Sequence, residues 1–599
     1  MVELRRSSKR WLYPENDPAA AALAHSAGIP LIVAELLLAR GLRSTEQAVR
    51  FLHPQLGDLH DPYAMLGMAS AVARVQKAIE HREPILIYGD YDVDGTTATV
   101  LLKTAIEILG GEVRYHIPHR IHEGYGIRDE RLAEAAADGT RLVISVDTGI
   151  RAFAAAEAAE ALGLDLIVTD HHLPEQSLPR ALAVLNPNQP GCGYPCKHLC
   201  GAGVAFKLAQ ALLESRDKER ARKKILPSFL KVLAIAAIAD AVPLLDENRV
   251  FVALGLDGLR RPVNAGLRHL LMVADLDPSQ RRLTPTDVAF RLAPRLNAAG
   301  RMDIASDVVE LLTTRQPQRA RELAEKLERL NTERRAAESG ILTEIEERMG
   351  SSDWRNDHCM VMDGDGWHRG VIGILASRIV DLTGRPALVI SRENGEAHGS
   401  GRSIPGFHLL EAMESCQDLL TRFGGHAHAV GFSLPSKNVP ELRERLNTFA
   451  KARLTEAAFT AQVPIHALLP LDRITPALFT WIRRMEPFGL SNEEPVFAAH
   501  NVRLAAPPRY FKEKHVRLQL AQGPRASMFP AVGWNKAETV RSFGLEEGSI
   551  LHLAYKLREN EHPEFGGLEL EIVDIKIAHE AEEESRPLEM IASTDRPGS

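Results

Sequence analysis

The sequence predicts a multidomain α/β protein that ends in a β-rich domain. Its 599 residues are too many for one hydrophobic core, so several domains are expected. Between about residues 80 and 240, short apolar runs alternate with helical segments, a pattern typical of buried parallel strands. After about residue 460, Val516, Leu518 and Leu520 alternate with polar residues, which indicates a small antiparallel barrel or sheet.

The same patterns divide the chain into six segments. Leu323, Leu327 and Leu330 fall on one face of a charged stretch without proline, which predicts a long helix between two domains. The last residues are acidic and then rich in Ser, Thr and Pro, a composition typical of disorder. We expect an N-terminal helical region (1–75), an α/β domain with a helical extension (76–317), a connecting helix (318–350), a second α/β domain (351–457), a β domain (458–578) and a disordered tail (579–599).

Composition and charge exclude several classes of protein. Five cysteines do not make a disulfide framework, and the first residues lack the apolar core of a signal peptide. No uncharged run is long enough to span a bilayer, so a cytoplasmic, reduced protein is expected, with a monomer as the default. The net charge is −7, so a groove for nucleic acid would have to be locally basic.

One cluster raises the question of zinc. Cys192, Cys196, His198 and Cys200 have a spacing that matches no common structural zinc pattern. We interpret them as a loop with reduced side chains, and zinc is the alternative.

Three of the predicted parallel strands are each followed by carboxylates. Asp90, Asp92 and Asp94 follow the run 85–88, Asp147 follows 142–146, and the sequence Asp-His-His at 170–172 follows 166–168. The carboxyl ends of neighbouring parallel strands meet at one edge of a sheet, where ligands bind. Carboxylates gathered there repel one another unless a cation lies among them. The sequence therefore predicts a pair of divalent metal ions.

The residue types indicate which metal. Asp90, Asp92, Asp94, Asp147 and His171 are the candidate ligands, and Asp147 could bridge two ions. Asp240 ends an apolar helical run, where a lone buried acid is hard to ionise without a cation, so it joins the set. Oxygen and imidazole ligands together favour Mn²⁺ over Mg²⁺, although Mg²⁺ would also fit. The alternative is that these acids are helix caps, which explains one Asp more easily than this whole group.

Such a metal pair suits phosphoester hydrolysis. Two cations can lower the pKa of a water molecule and neutralise charge on a phosphoryl group. Asp94 and Asp147 would then belong to the catalytic centre together with His172, which is free to contact phosphate or to assist proton transfer.

These motifs together resemble the DHH phosphoesterase superfamily. Asp90-x-Asp92-x-Asp94-Gly95, Val146-Asp147-x-Gly149 and Asp170-His171-His172 are similar to its first three motifs, and Asp240 within Ala-Asp-Ala-Val-Pro-Leu is similar to its fourth. Residues 424–431, Gly-Gly-His-Ala-His-Ala-Val-Gly, resemble the substrate-binding motif of the associated DHHA1 domain. Segments such as 294–301 and 486–489 are similar to the RecJ family of exonucleases, and the resemblance covers roughly residues 10–577.

The resemblance implies a 5′→3′ exonuclease that degrades single-stranded DNA to mononucleotides in repair and recombination. It implies Mn²⁺ or Mg²⁺ in a cleft between the DHH and DHHA1 domains, and an OB-fold domain that guides the strand. The metal ligands implied by motif position are Asp90, Asp92, Asp94, Asp147, His171 and Asp240. The resemblance alone suggests a single-strand-binding protein and a helicase as partners.

An exonuclease that releases mononucleotides needs a fixed anchor for the terminal 5′ phosphate. Arg120, just beyond the predicted strand 113–117, is one candidate because Arg binds phosphate bidentately. In the second α/β domain, glycine-rich stretches could let backbone amides approach an anion. The candidates there are Ser400, Arg402, Ser403, Gly424, Gly425 and His426. The alternative for each is an ordinary solvated loop residue.

Arg301 belongs to a polar stretch with Arg295 and Asn297. These side chains could line a channel for DNA or form hydrogen bonds between domains, and the sequence leaves both possibilities open.

The β domain has aromatic residues beside cations, the combination with which OB-folds bind single strands. The candidates are Tyr510, Phe511, Lys512, Lys514 and Arg517, with Trp534 a weaker one. The alternative is that the aromatics are core residues, which we favour for Phe529.

Other functions compete with the exonuclease. A DHH enzyme for short oligonucleotides or cyclic dinucleotides would generally need only the two α/β domains. A non-catalytic DNA-binding scaffold would have no need of a self-repelling acidic cluster. An inorganic pyrophosphatase carries different motifs in its second domain.

Overall fold

The computed structural model describes residues 9–124, 126–351, 353–459, 461–523, 527–560 and 566–578. The predicted disordered tail, 579–599, lies outside the described residues. The chain divides into two compact units. As far as their residues are described, unit 1 comprises Pro54–Thr460 with Gly489–Asn492, and unit 2 comprises Leu4–His53, Ala461–Phe488 and Glu493–Ser599.

The elements are numbered in chain order. The strands are β1 (Arg10–Leu12), β2 (Ile85–Tyr88), β3 (Val113–His116), β4 (Leu142–Val146), β5 (Asp165–Thr169), β6 (Ala183–Leu185), β7 (Met360–Asp365), β8 (Ala387–Glu393), β9 (Glu396–Arg402), β10 (Arg422–His426), β11 (Ala429–Pro435), β12 (Gln462–Pro464), β13 (Ala467–Leu468), β14 (Phe497–Phe511), β15 (His515–Gln522), β16 (Ser527–Gly533), β17 (Ile550–Asn560) and β18 (Gly567–Ile577). The helices are α1 (Ala20–Ala27), α2 (Leu31–Leu38), α3 (Thr45–Leu52), α4 (Met68–His81), α5 (Val93–Ile108), α6 (Asp129–Ala137), α7 (Phe153–Ala161), α8 (Gly201–Arg220), α9 (Leu226–Ala239), α10 (Asp246–Gly258), α11 (Ala265–Val273), α12 (Pro285–Asp287), α13 (Ala293–Met302), α14 (Ser306–Thr313), α15 (Pro317–Gly350), α16 (Ile372–Thr383), α17 (Leu409–Glu414), α18 (Val439–Lys451), α19 (Pro476–Arg483) and α20 (Ala537–Ser542).

The first sheet of unit 1 is parallel, with strand order β3-β2-β4-β5-β6. Every residue of β2 and β4 is buried, which explains why these strands are continuous apolar runs and not alternating ones. The register pairs Tyr88 with Ser145, and Ser145 with Val168, so the three central strands end side by side. Side chains just beyond those ends are therefore neighbours.

The helix α15 contributes to two hydrophobic cores. In its first half, Leu323, Leu327 and Leu330 pack into the core that includes the first sheet. In its second half, Ile341 and Ile345 pack into a core of the second α/β domain. The helix has 34 residues and begins with Pro at its first turn, a position where the missing N–H costs nothing.

The second sheet of unit 1 is mixed, with strand order β10-β11-β9-β8-β7. β7 and β8 are parallel, and the remaining pairs are antiparallel. The glycine-rich stretch that ends in Ser400 and Arg402 is the strand β9 and not a loop. Gly399 is required because the ring of Phe432, its partner on β11, occupies the space that a Cβ would take.

Unit 2 contains a closed barrel. The strands follow the order β14-β15-β16-β18-β17, and β17 pairs back with β14. The N-terminal region contains the helices α1 to α3, but it also supplies the strand β1, which pairs in parallel with β12. Trp11 on β1 is buried, and its Nε1 donates a hydrogen bond to Asp574 at 2.8 Å.

None of the helices in the described residues is long and apolar enough to cross a membrane by itself. The bent pair α1 and α2 meets that criterion of length and composition only when the two helices are taken together.

Candidate active site

The acidic residues gather where the first sheet reverses its strand order. From β2 the chain moves to β3 on one side and then to β4 on the other. Open α/β sheets bind ligands in the crevice at such a switch point. The loops after β2, β4 and β5 carry Asp90 and Asp92, Asp147, and the pair His171 and His172 respectively. The predicted convergence of these loops is thus a consequence of the strand order.

Asp92 is the N-cap residue of α5. Its Oδ1 accepts a hydrogen bond from the amide of Gly95 at 3.0 Å. The helix-cap alternative therefore applies to this one residue. Asp92 nevertheless offers a carboxylate oxygen to a group that it forms with Asp90 and Asp147.

Asp94 is held by the start of another helix. Its two oxygens accept hydrogen bonds from the amides of Gly201 at 2.6 Å and Ala202 at 2.9 Å, the first residues of α8. The N-terminus of a helix favours a negative charge. Burial raises the pKa of Asp94, and the nearby imidazole of His171 opposes that rise.

Asp147 has a left-handed backbone conformation, with φ of 60°, at the turn that follows β4. Its carboxylate packs directly against Gly201, where a Cβ would collide with it. The sequence gives no warning of this contact, because the two residues lie in different segments. Glycine is therefore needed at the start of α8 so that Asp147 can reach the site.

The candidate ligands form two groups of three. One group is Asp94, His171 and Asp240, and the other is Asp90, Asp92 and Asp147; within each, one possible ligand atom per residue lies within 4.8 Å of the others. A further group contains Asp147, Asp170, His171 and His172. The structure thus brings together all six predicted metal ligands.

His171 belongs to the first group of three and also approaches Asp147 of the second. Its Nε2 is 3.2 Å from Asp147 Oδ1 and 3.8 Å from Asp94 Oδ2, and its Nδ1 is 3.9 Å from Asp240 Oδ2. Asp147 Oδ1 receives no hydrogen bond despite this proximity, and the buried Asp90 Oδ1 also has no partner among the described residues. Oxygen and imidazole donors that converge without neutralising one another fit divalent cations.

The pKa values of the acids reflect their crowding. Burial, and then the charge of Asp92, raises the pKa of Asp90 well above its usual range. Burial, and then Asp94, does the same for the pKa of Asp147. The pKa of Asp240 rises to about 9 through burial and the charges of Asp94 and Asp92. Cation binding would favour the ionised carboxylates, so protons should be released as metal binds.

His172 does not share the environment of His171. Asp170 is fully buried, and its Oδ1 accepts hydrogen bonds from the amides of both histidines and, at 2.7 Å, from His172 Nδ1. Burial opposes a charge on His172, but this bond and the charge of Asp170 outweigh it and raise its pKa. Burial lowers the pKa of His171, which leaves that imidazole in the neutral form that binds metal. Asp170 belongs to the Asp-His-His sequence but not to the candidate metal ligands, and in the structure it orients His172.

A cluster of arginines lies beside the acidic residues. The guanidinium of Arg120 lies over the ring of Tyr91, 4.9 Å from its centroid. Arg301 on α13 donates to the carbonyl of Gly370 at 2.8 Å. Burial, and then the charges of Arg120, Arg334 and Arg402, lower its pKa to about 9. Cations so close that they lower the pKa of a neighbouring guanidinium form a site for an anion.

Arg402 and Ser400 point to the same side of β9. Arg402 Nη1 donates to Ser400 Oγ at 3.2 Å, and the strand's amides pair with β8 and β11 instead of facing an anion. Ser403 has a different environment, because its Oγ donates to the carbonyl of Phe407 at 2.7 Å. The side chains of Ser400 and Arg402 therefore remain the candidates on this strand.

Gly424, Gly425 and His426 lie exposed on β10, the edge strand of the second sheet. Burial of its ring lowers the pKa of His426, and the charges of His428, Arg402, His172 and Arg151 lower it further. The two α/β domains thus place His172 and His426 in one electrostatic environment.

Arg295 and Asn297 have structural partners. Arg295 forms an ion pair with Glu328 on α15, and the Oδ1 of Asn297 accepts the amide of Val93 at 3.2 Å at the start of α5. Arg295 is thus bonded to the connecting helix, whereas the hydrogen bond of Asn297 lies within the first α/β domain and not between domains. Arg301 also lies in the arginine cluster. Cys192, Cys196 and Cys200 are buried free thiols, and none belongs to a metal-ligand group among the described residues.

In unit 2, an aromatic cluster lies at one end of the barrel. The centroids of Phe511 and Trp534 are 5.9 Å apart, and those of His515 and Trp534 are 5.0 Å apart. Arg517 lies over Phe511 at 5.4 Å, and Arg541 lies over Tyr510 at 4.4 Å.

Of these aromatics, Tyr510 and Trp534 are 39% and 49% exposed. Lys512 and Lys514 occupy the adjoining turn between β14 and β15, and Phe529 is half-buried on β16. The sequence offers Trp534 only as a weaker candidate and does not single out His515 or Arg541. Trp534 and Arg541 are distant in the chain from Tyr510, so the fold is what brings them to this cluster.

Known protein families match the chain in three places. The DHH family, N-terminal domain, matches residues 84–237, the DHHA1 domain matches 356–452, and the RecJ OB domain matches 465–574. These matches confirm the predicted fold class, including the OB-type barrel.

Whole proteins of known activity and structure are also similar. The single-stranded-DNA-specific exonuclease RecJ of Bacillus subtilis (strain 168) is 39% identical over 560 residues, which are 93% of this chain and 69% of that protein. The crystal structure of RecJ in complex with Mn²⁺ from Thermus thermophilus has a TM-score of 0.79 at 29% identity, over 95% of this chain and 79% of the other. The complex with Mg²⁺ from the same organism has a TM-score of 0.73 at 27% identity, over 95% and 78%.

The order of the three domains, the acidic cluster at the switch point and this extent of identity lead to one conclusion. The chain belongs to the RecJ family of single-stranded-DNA-specific exonucleases.

Proposed function

We propose that this protein is a metal-dependent, single-stranded-DNA-specific 5′→3′ exonuclease that releases 5′-mononucleotides. The observation that carries the proposal is that two groups of three potential metal ligands lie beside a cluster of arginines suited to phosphate. An enzyme that hydrolyses phosphodiester bonds needs both. The family to which the chain belongs supports DNA as the polymer, and DNA repair and recombination as the setting.

We assign the two groups of ligands to two divalent ions, with Mn²⁺ preferred and Mg²⁺ possible. Asp94, His171 and Asp240 would hold one ion, and Asp90, Asp92 and Asp147 the other. When bound, the ions would supply Lewis acidity for the attacking water and for the phosphoryl oxygens.

His172 is the proposed acid–base residue. Asp170 accepts the hydrogen bond from Nδ1, so Nε2 is the nitrogen that can hold or transfer a proton at the reacting phosphate. The raised pKa of His172 favours its charged form, which attracts that phosphate. His426, which shares its environment, is assigned to the same phosphate.

We assign the terminal 5′ phosphate to Arg120, Arg301, Ser400 and Arg402. The charge of Arg120 lowers the pKa of both Arg301 and Arg402, so a phosphate bound among these guanidinium groups would relieve their repulsion. Gly424 and Gly425 would let the strand approach β10 closely. Ser403 remains a weaker member, because its hydroxyl is already engaged.

Unit 2 would bind the strand beyond the site. Tyr510, Phe511 and Trp534 offer ring faces, and Lys512, Lys514 and Arg517 offer charge, as single-strand-binding OB-folds do. The barrel also disfavours the small-substrate alternative, which has no need of it. The acidic ligand groups disfavour the scaffold alternative.

We further propose a cytoplasmic monomer that works with a single-strand-binding protein and a helicase. DNA as the substrate and five free thiols support the location. We also propose the six-segment division, with a DHH domain over 76–317 and a DHHA1 domain over 351–457. The matches to the DHH and DHHA1 family models fall within these two segments and support it.

The function is tested with two single-stranded DNAs labelled at the 3′ end, one with a free 5′ phosphate and one blocked there, in the presence of Mn²⁺. We expect the free-end DNA to shorten from its 5′ end and the blocked DNA to remain intact. Asp147→Ala should abolish the reaction, because it removes a carboxylate that two of the ligand groups share. Shortening of the blocked DNA would contradict end recognition, and cleavage of dinucleotides alone would favour the small-substrate alternative.

The two-ion assignment predicts a change in stoichiometry. The wild type should bind two Mn²⁺ per chain by electron paramagnetic resonance titration, and Asp240→Ala or Asp92→Ala should bind one. Each variant should lose more than about 100-fold in activity, beyond the loss typical of an outer-shell partner. A single site in the wild type would refute the assignment.

The packing of Gly201 against Asp147 predicts that Gly201→Ala lowers Mn²⁺ affinity and activity by about 10-fold or more, because the new methyl group displaces a ligand. Gly340→Ala is the matched control, since no atom lies within 4 Å of its Cβ position and Ala favours the helix. Equal behaviour of the two variants would show that the contact is unimportant.

The aromatic cluster of unit 2 predicts weaker DNA binding in Trp534→Ala. Base stacking is worth about 1–3 kcal/mol per base, so the affinity for a long single strand should fall roughly tenfold by fluorescence anisotropy. Met528→Ala, which removes another exposed apolar side chain, should leave it unchanged. An unchanged Kd in Trp534→Ala would place the strand elsewhere.

A further inference from the structure

Arg151 is an exposed residue to which none of the motifs assigns a role. It lies in the turn after β4, four residues beyond Asp147. Its Nε and Nη2 both donate to the carbonyl of Leu173, at 3.1 Å and 2.9 Å. No described residue hydrogen-bonds its Nη1, and the residue as a whole is exposed.

The side chain of Arg151 is fixed relative to the two histidines. The amide of its neighbour Ile150 donates to Asp170 at 2.9 Å, and Leu173 directly follows His172. The carbonyls of His171 and His172 accept hydrogen bonds from other side chains, Asn188 at 3.1 Å and Asn186 at 2.8 Å. Arg151 thus presents its charge from a loop held rigidly at several points.

The strand order places Arg120 and Arg151 on opposite flanks of the acidic residues. Arg120 follows β3, whereas Arg151 is bonded to the loop after β5. Two strands, β2 and β4, lie between them, and they carry Asp90, Asp92 and Asp147 at their ends. At ~4.8 Å per strand, the ends of β3 and β5 are about 14 Å apart, so side chains on the two flanks can contact different phosphates of one strand.

The charges near His426 agree with this arrangement. Arg151, Arg402 and His172 all lower the pKa of His426, and so does His428. Arg402 also acts on Arg301, while Arg120 acts on Arg301 and Arg402. These electrostatic contacts connect Arg120 with Arg402, and both Arg402 and Arg151 with His426.

We propose that Arg151 binds a third phosphate of the DNA, the one that follows the scissile linkage. This deepens the proposed function and rests on it. With the terminal phosphate at Arg120 and Arg301 and the scissile linkage over the acidic residues, the next linkage lies on the flank of β5. The free Nη1 of Arg151 is the donor there. The subsite would favour polymers over dinucleotides, which lack this phosphate.

A cycle of protein and substrate changes tests this. The substrate is a 5′-phosphorylated thymidine oligonucleotide, with either natural linkages or a single uncharged methylphosphonate at the second linkage from the 5′ end. Release of the first nucleotide is followed with Mn²⁺ for the wild type, Arg151→Gln, Arg151→Lys and Arg180→Gln. Gln keeps a donor for the Leu173 carbonyl but removes the charge, and Lys keeps the charge. Arg180 is an exposed arginine of the same domain that is not among the main charges acting on His426.

We expect the uncharged linkage to lower kcat/KM about tenfold in the wild type and in Arg180→Gln, a size typical of one charge-assisted hydrogen bond. Arg151→Gln should lose about tenfold on the natural substrate, through KM, and little more on the uncharged one. Arg151→Lys should keep part of the sensitivity.

The subsite would be overturned if the loss caused by Arg151→Gln and the loss caused by the uncharged linkage simply multiplied when the two changes were combined. An equal fall of kcat on both substrates would also overturn it, because it would show that Arg151 only holds the histidine loop. If the wild type degrades neither substrate, the proposed exonuclease function itself fails, and the subsite fails with it.

Discussion

The mutual repulsion of carboxylates at the switch point of the first sheet is the constraint on which the site depends. Asp90, Asp94 and Asp147 are buried, and their pKa values are raised by burial and by neighbouring carboxylates. The fold offsets part of this cost by pointing the N-terminus of α8 at Asp94 and by placing His171 among the acids. Bound cations would offset the remaining repulsion. Without them the protein holds its carboxylates in an unfavourable arrangement that cation binding relieves.

The helix α15 determines where the side chains proposed to bind phosphate meet that cluster. One helix enters both α/β cores, and between them it carries buried polar residues instead of apolar ones. Arg334 donates to Glu338 at 2.7 Å, and Glu338 also pairs with Arg378 on α16. Because α16 begins beside Ser400 and Arg402, this ion-pair network ties the arginine side of the site to the helix that spans the two domains.

The sequence was sufficient for the parts of the site that depend on local pattern. Strands that end in Asp, and their parallel order, bring five of the six candidate ligands to one edge of the sheet, and Asp240 joins them from the end of α9. The sequence does not predict contacts between segments that are distant in the chain. The glycines of β9 were interpreted as an anion loop, but Gly399 accommodates the ring of Phe432. Gly201 and Trp534 likewise acquire their significance only from residues far along the chain, Asp147 and Phe511.

The separation of positive and negative charge across the site couples the binding of metal ions to the binding of DNA. The net charge of the chain is −7, and the carboxylates at the switch point would repel a phosphate that lies over them. Cations on the flanks attract the strand, but only bound metal removes the repulsion at the scissile linkage. Each ligand therefore favours the other, and by reciprocity DNA must tighten metal binding as much as metal tightens DNA binding. This coupling explains how a protein with a negative net charge can concentrate a polyanion at its most acidic point.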